Sequence, residues 1–433
     1  MLTHPAGPEP GRQSGGILGA PEGVSPGQWE RSPQAALDRR RVDHPPPLAK
    51  YQRNGVGTGE IDEKDAARQR KRSDRKKLRN VAGKLLPDER VSRCGRHLSR
   101  AIELGDVRYA EIRKWEGRAH WSGVVSCVSV WHCPDCAAKI SRKRQKEMTD
   151  LVAAHQETGG TVALVTLTLP HTTYDRAATL RKDVPGLWAK VARGAPWKRA
   201  MQKGRVVGGP RSLEITHGRN GWHPHLHILV FFDAGGDAAT FLEWLIDRWI
   251  ATAERAGYQC SREAQDWRMA DTPGAAGEYV TKWGVEWEIT HAHMKDGKGG
   301  SRAPFQILAD FETHGLQRDA DLFREYARAF KGARQLTWFG DVRARYGHDD
   351  QSDEEVLAEE DAAAETVCYI DQVTFSMVHY RGLEAALFEA AEEGGLLGVI
   401  RFAAMHHLGV AGVKPPEFGR RLRTYGDKAL RYG

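Results

Sequence analysis

The sequence predicts an α+β fold, and three observations carry that prediction. Strand-like and helix-like apolar patterns alternate through residues 160–345, and the longest apolar runs, Val162–Leu169 and His227–Phe232, are of strand length. The turn signal Gly218-Arg219-Asn220-Gly221 separates two apolar runs and marks a β-hairpin. Upstream, Cys94, Cys127, Cys133 and Cys136 fall within 43 residues, as a small zinc-binding unit requires.

In chain order, residues 1–60 read as disordered: nine of the first fifty are proline, glycine is frequent and no apolar period appears. Residues 61–89 form a basic segment that includes Lys71, Arg72, Lys76 and Lys77 and only a few carboxylates. Such a run can lie along a phosphate backbone, or it can be a solvated basic helix. Residues 90–148 form the cysteine unit, and residues 160–345 form the domain in which the chemistry is placed. Residues 349–365 read as an acidic linker, with nine carboxylates and no Lys or Arg. Residues 366–433 read as a small, mostly helical tail unit with apolar positions such as Leu383, Leu387 and Leu396.

The formal charge of +7 averages over that acidic block, and the remaining chain carries +16. An excess of this size fits a polyanionic partner. No run reaches the roughly 18 apolar residues of a membrane span. The start, MLTHPAGPEPGRQSGG, has no basic segment followed by an apolar one, so no secretory signal is expected. No GxxxxGK[ST] loop is present, so an ATP-driven motor is not indicated.

Cys133-Pro134-Asp135-Cys136 is a CxxC knuckle, and Cys127 lies six residues before it. With Cys94, these four thiolates can close a tetrahedral zinc site; His97, His120 or His132 can replace one of them. Thioredoxin-like chemistry would need a βαβ setting that the surrounding sequence lacks. The basic segment that follows, Lys139–Lys146, starts a helix whose Arg142 and Lys143 can contact phosphates.

Trp222-His-Pro-His-Leu-His-Ile-Leu-Val-Phe-Phe232 forms the second strand of the hairpin. Side chains alternate along a strand, so His223, His225 and His227 share one face while Leu226 and Ile228 take the other. Glu214 on the partner strand can reach the histidine face. Two imidazoles and one carboxylate make a mixed N/O set suited to Mg²⁺ or Mn²⁺, with His223 and His217 as competitors for the third position. Further on, Thr272-Pro273-Gly274 signals a helix start. Tyr279 and Lys282, three apart on that helix, share a face. A tyrosine beside a metal-bound phosphate can act as a nucleophile, with the lysine offsetting charge.

These motifs together resemble the HUH endonucleases, named for histidine–hydrophobic–histidine. Thr166-Leu-Thr-Leu169 resembles their first motif, His225-Leu226-His227 the second and Tyr279-Val-Thr-Lys282 the third. That order is similar to rolling-circle replication initiators, and the cysteine unit with Arg334-Gln-Leu-Thr-Trp338 resembles the plasmid initiators of actinobacteria. The resemblance covers residues 90–345. It implies a five-stranded antiparallel sheet flanked by helices, related to the RNA-recognition fold. It also implies binding to a plasmid origin and a metal-dependent nick that leaves a 3′-OH and a 5′-phosphotyrosine. His225, His227 and Glu214 then hold the cation, Tyr279 is the nucleophile and Lys282 its helper. Host helicase and polymerase would be partners, in a bacterial cytoplasm and without a membrane. Two departures stand out. Ala275 occupies the place of a glutamate that some initiators use at termination, and no second tyrosine accompanies Tyr279. The alternatives are a single-tyrosine transposase and a zinc-containing DNA-binding regulator that does not cut.

Overall fold

A computed structural model describes residues 63–104, 107–270, 300–347, 351–408 and 421–424. The expectations for residues 1–60, for the helix start at Thr272 and for Tyr279 and Lys282 lie outside the described residues.

The described chain opens with α1 (Glu63–Leu85), followed by β1 (Arg100–Leu104), β2 (Val107–Trp115) and β3 (Arg118–Ser122). Then come α2 (Pro134–Glu157), β4 (Thr161–Thr168), α3 (Ala177–Val191), α4 (Gly194–Lys203), β5 (Val206–Gly218), β6 (Gly221–Phe232), α5 (Ala238–Glu254) and β7 (Asp266–Met269). After residue 299 follow α6 (Pro304–His314), α7 (Gln317–Phe330), β8 (Leu336–Gly340) and the single turn α8 (Val342–Arg345). The rest is α9 (Asp353–Ala363), β9 (Glu365–Asp371), α10 (Gln372–Tyr380), α11 (Glu384–Met405) and β10 (Arg421–Thr424).

The expected five-stranded antiparallel sheet is present, in the order β7-β4-β6-β5-β8. The predicted hairpin is β5–β6, closed by Arg219-Asn220 with Gly218 paired to Gly221. Gly221 sits at φ +88°, and a Cβ there would lie 2.8 Å from the Thr172 carbonyl oxygen, so glycine is required. The strand period sorts β6 into two faces. Leu226, Ile228, Val230 and Phe232 are buried with Leu180, Val184, Leu245 and Trp249 of α3 and α5. Leu229 and Phe231 face the other way, under Met148, Leu151 and Val152 of α2. His223, His225 and His227 continue that second face.

In the described residues 351–408 and 421–424 the structure differs from the sequence expectation at two points. The acidic segment is largely helix: Ser352 caps α9 by accepting from Glu355 N, and the Glu355 side chain accepts from Ser352 N in return. Its acids meet the basic start of α2, where Arg144 pairs with Asp353 at 3.3 Å and Lys143 donates to Val356 O at 2.7 Å. Asp361 accepts from Ser122 at 2.8 Å. Among the described residues that follow, strands accompany the helices. Strand β9 pairs with β2, in a second five-stranded sheet with β1, β3 and β10. Ile112, Trp121, Cys368, Ile370, Phe375, Leu387 and Phe388 form its core. This pairing joins residues some 250 positions apart, and no local pattern announces it.

Helix α1 is held against both parts by buried charge. Arg79, 1% exposed, donates to Glu384 at 2.8 Å, and Lys76 bridges Glu384 at 2.9 Å and Asp135 of the knuckle at 2.8 Å. Burial raises the Glu384 carboxyl, but Arg79 and Lys76 outweigh it and bring it from the ordinary 4.5 down to about 2. The stability this carboxylate contributes is therefore complete above pH 4.5 and is lost as pH falls toward 2. Glu384→Gln should lower unfolding free energy at neutral pH by about 3 kcal/mol, because buried Arg79 loses its nearest carboxylate and keeps only Asp135, 3.8 Å away. It should also flatten the acid limb, and urea melts across pH check both effects.

Candidate metal centres

Strand β6 lies between β4 and β5, and the register decides which side chains meet. Glu214 is directly opposite His225, Ser212 and Thr166 are opposite His227, and Thr168 is opposite His225. Directly paired residues point to the same face, so Glu214 joins the histidine row. Its Oε2 lies 3.0 Å from His225 Nε2 and 3.3 Å from His227 Nε2. Ligands about 2.1 Å from one cation and at right angles to each other lie about 3 Å apart, so the donor set fits a hard divalent ion. Burial raises the Glu214 carboxyl, but the imidazoles of His227 and His225 more than reverse this and hold it far below the usual carboxylate range. It is thus ionised, as a ligand must be.

The His227 ring is also held from behind: Thr166 Oγ1 is 3.0 Å from its Nδ1. A hydrogen bond at Nδ1 orients the ring so that Nε2 faces the shared position; with Nδ1–H donating to the hydroxyl, Nε2 is free to bind a cation. The cluster is open on one side, since the Glu214 and His227 side chains are 19% and 20% exposed. Of the competitors for the third position, His223 turns to His171, with Nδ1 atoms 3.2 Å apart. His217 packs edge-on to Trp222 and its backbone pairs with Arg302.

The second cluster is the cysteine unit. All six cysteines of the chain are free and buried. The sulfur of Cys94 lies 3.5 Å from that of Cys136 and 3.8 Å from that of Cys133, and Cys127 is 3.7 Å from Cys136. These separations are far from a disulfide bond. They match the edges of a tetrahedron with metal–sulfur distances near 2.3 Å, which are about 3.8 Å. Cys133 caps α2 by accepting from Cys136 N, with Pro134 in the first turn. The histidines nominated as substitutes are placed elsewhere. His132 bonds Ala327 O at 2.8 Å, His120 faces Asp361 at 3.3 Å, and His97 is exposed. Trp131 donates to Ala333 O at 2.7 Å, just past α7, and its ring lies 4.7 Å from that of Phe330, which docks the unit on α7.

The basic residues nominated for phosphate contact fare differently. Arg72 pairs with Glu392 at 2.6 Å, Lys77 with Glu312 at 2.6 Å, and Lys76 sits in the buried network. Lys143 is committed to α9, Arg142 is half-buried, and Lys71 is exposed. Arg72, Lys76 and Lys143 thus have intramolecular partners that stand far away in sequence and meet them only in the fold. Sequence reasoning also missed the roles of Thr166 and His171. The motif around Thr166 was visible, but its bond to His227 depends on strand register.

Comparison with known proteins follows the same lines. Residues 124–377 match a family model described as a replication protein. The chain is similar to "Protein rep" of Streptomyces lividans, 27% identical over 295 residues, covering 52% of this chain and 65% of that protein. It is similar to "Neomycin resistance protein" of Streptomyces cyanogenus, 32% identical over 139 residues, covering 26% of this chain and 32% of that protein. The chain thus spans less than two thirds of the length of these curated relatives. No solved structure matches.

Two measurements test the centres. Thr166→Val should weaken Mn²⁺ binding about tenfold, while Thr166→Ser keeps it, as read by electron paramagnetic resonance of free Mn²⁺. The purified protein should carry about one zinc per chain, lost with folding stability in Cys133→Ser, as read by elemental analysis and thermal melting.

Proposed function

The chain belongs to the replication-protein family, and from that premise we propose that it is a plasmid rolling-circle initiator that nicks one strand of origin DNA. The observation that carries the reading is the convergence of Glu214, His225 and His227 on one open face, within reach of a single cation. When bound there, a Mg²⁺ or Mn²⁺ ion would draw charge from a phosphate oxygen and make the phosphorus more electrophilic.

The chain's own residues supply the rest. Glu214 and the two histidines orient the scissile phosphate, and Thr166 keeps His227 in position. Tyr279 gives up its phenolic proton and its oxygen attacks phosphorus. The bond to the 3′-oxygen breaks, that oxygen takes a proton, and the 5′-phosphate stays esterified to the tyrosine. Lys282 offsets the charge on the phenolate and the phosphate. A free tyrosine ionises near pH 10, so this help matters at neutral pH. The ester conserves the bond energy, so rejoining needs no ATP, in keeping with a sequence that has no phosphate-binding loop. The exposed 3′-OH would prime a host polymerase, and a host helicase would unwind the duplex. The cysteine unit, fixed to the sheet by α2, serves as a rigid structural element when zinc fills it.

The described ends of the segment that carries Tyr279 are both tied to this sheet. Ala270 N donates to Val162 O at 2.8 Å, and Arg302 pairs with His217 at the hairpin end. This supports a tyrosine that works against the histidine row. Tyr279→Phe should abolish the covalent adduct with a labelled single-stranded origin oligonucleotide in Mn²⁺ while DNA binding persists. Adduct formation by that variant would reject the assignment, and binding without any cutting by the wild type would favour the regulator.

A further inference from the structure

The basic segment nominated from sequence is largely spent inside the protein, so the excess positive charge must be sought elsewhere. Residues 176–205 hold nine Lys and Arg against one acid, Asp183. They build α3, α4 and the loop between them. Where this corner meets the end of α5, a cleft of about 440 Å³ opens, lined by Lys190, Arg193, Arg248 and Arg255 together with Thr252 and Pro196. No carboxylate lines it.

Its cations are partly preorganised. Arg248 donates from Nε to Val191 O at 2.8 Å and from an Nη to Arg193 O at 3.1 Å, and its guanidinium lies over the Trp244 ring at 5.4 Å. Arg255 donates from Nε to Ala251 O at 2.8 Å. These bonds hold the guanidinium groups of Arg248 and Arg255 in place at the cleft. Lys190, Arg193 and Arg255 are exposed. Four like charges gathered in one concavity repel each other, and an anion bridging them relieves that repulsion.

We propose that this cleft, on the face of the sheet opposite the histidine row, binds the phosphate backbone of duplex DNA. The inference rests on the reading of the chain as a DNA-acting initiator and adds where the uncut duplex is held. A duplex backbone fits better than a single strand because the lining offers cations but no aromatic ring on which a base could stack. Helices α3 and α5 also bury the opposite side of β6 from His225 and His227, so the two DNA surfaces do not compete for space.

The test uses the full chain and a fluorescein-labelled duplex oligonucleotide, without divalent cation, so that no cutting intervenes. Binding is followed by anisotropy across a salt series. The triple variant Lys190→Ala, Arg193→Ala, Arg255→Ala should bind about tenfold or more weakly near 0.1 M salt, and its log–log salt slope should fall by about three. Exchange of Lys190 for Arg together with Arg193 for Lys should keep the wild-type slope. The comparison variant Lys71→Ala, Lys77→Ala should change the slope by less than the triple variant does. A triple variant with wild-type affinity and slope overturns the inference, as does a loss seen only with a single-stranded probe. A wild-type chain that binds duplex through these residues yet never forms a tyrosine adduct sinks the nickase reading alone.

Discussion

Pairing of β6 between β4 and β5 fixes everything at the Glu214–His225–His227 cluster. It sets Glu214 across from His225 and Thr166 across from His227. A slip by one residue would turn the whole strand over. Leu226, Ile228, Val230 and Phe232 are each fully buried, and exposing one such side chain costs about 1.5–3 kcal/mol. The apolar face of β6 therefore holds the polar face in register. The same alternation lets α2 cover Leu229 and Phe231 while leaving His227, His225 and His223 beyond its reach.

Helix α2 links the two candidate metal centres mechanically. Its first turn is capped by Cys133 and includes Cys136, and its later residues Met148, Leu151 and Val152 pack on the sheet. The sulfur cluster is thus tied to the sheet through one continuous element. On the other side, Asp135 of the knuckle meets Lys76, which also meets Glu384. Helix α1, the cysteine unit and α11 are joined through this charge network, which is buried at Arg79 and Glu384. Such a network is costly to break and gives little when merely present, so it specifies geometry more than it adds stability.

Charge segregation in the sequence is partly undone by folding. The acidic residues of α9 lie against the basic start of α2, and α1 meets the acids of α11. Among the described residues, one cleft at the α3–α4–α5 corner is lined by Lys190, Arg193, Arg248 and Arg255 without a carboxylate. Counting charges along the chain does not show which cations are paired, because ion pairs form between residues hundreds of positions apart.

Patterns of local period were readable directly. The β5–β6 hairpin, the histidine face and the knuckle all follow from two- and four-residue spacings or from turn chemistry, which are properties of adjacent residues. Cys94 was also identified, because thiols in a chain without disulfides narrow the candidates. Tertiary structure alone decided the rest. It paired β9 with β2, turned the acidic stretch into a capped helix and placed Thr166 behind His227. Among three competitors it brought Glu214, not His217 or His223, to the shared position. Each of these depends on contact between segments distant in the chain, whose register is set by the burial of whole faces, and no local spacing encodes that.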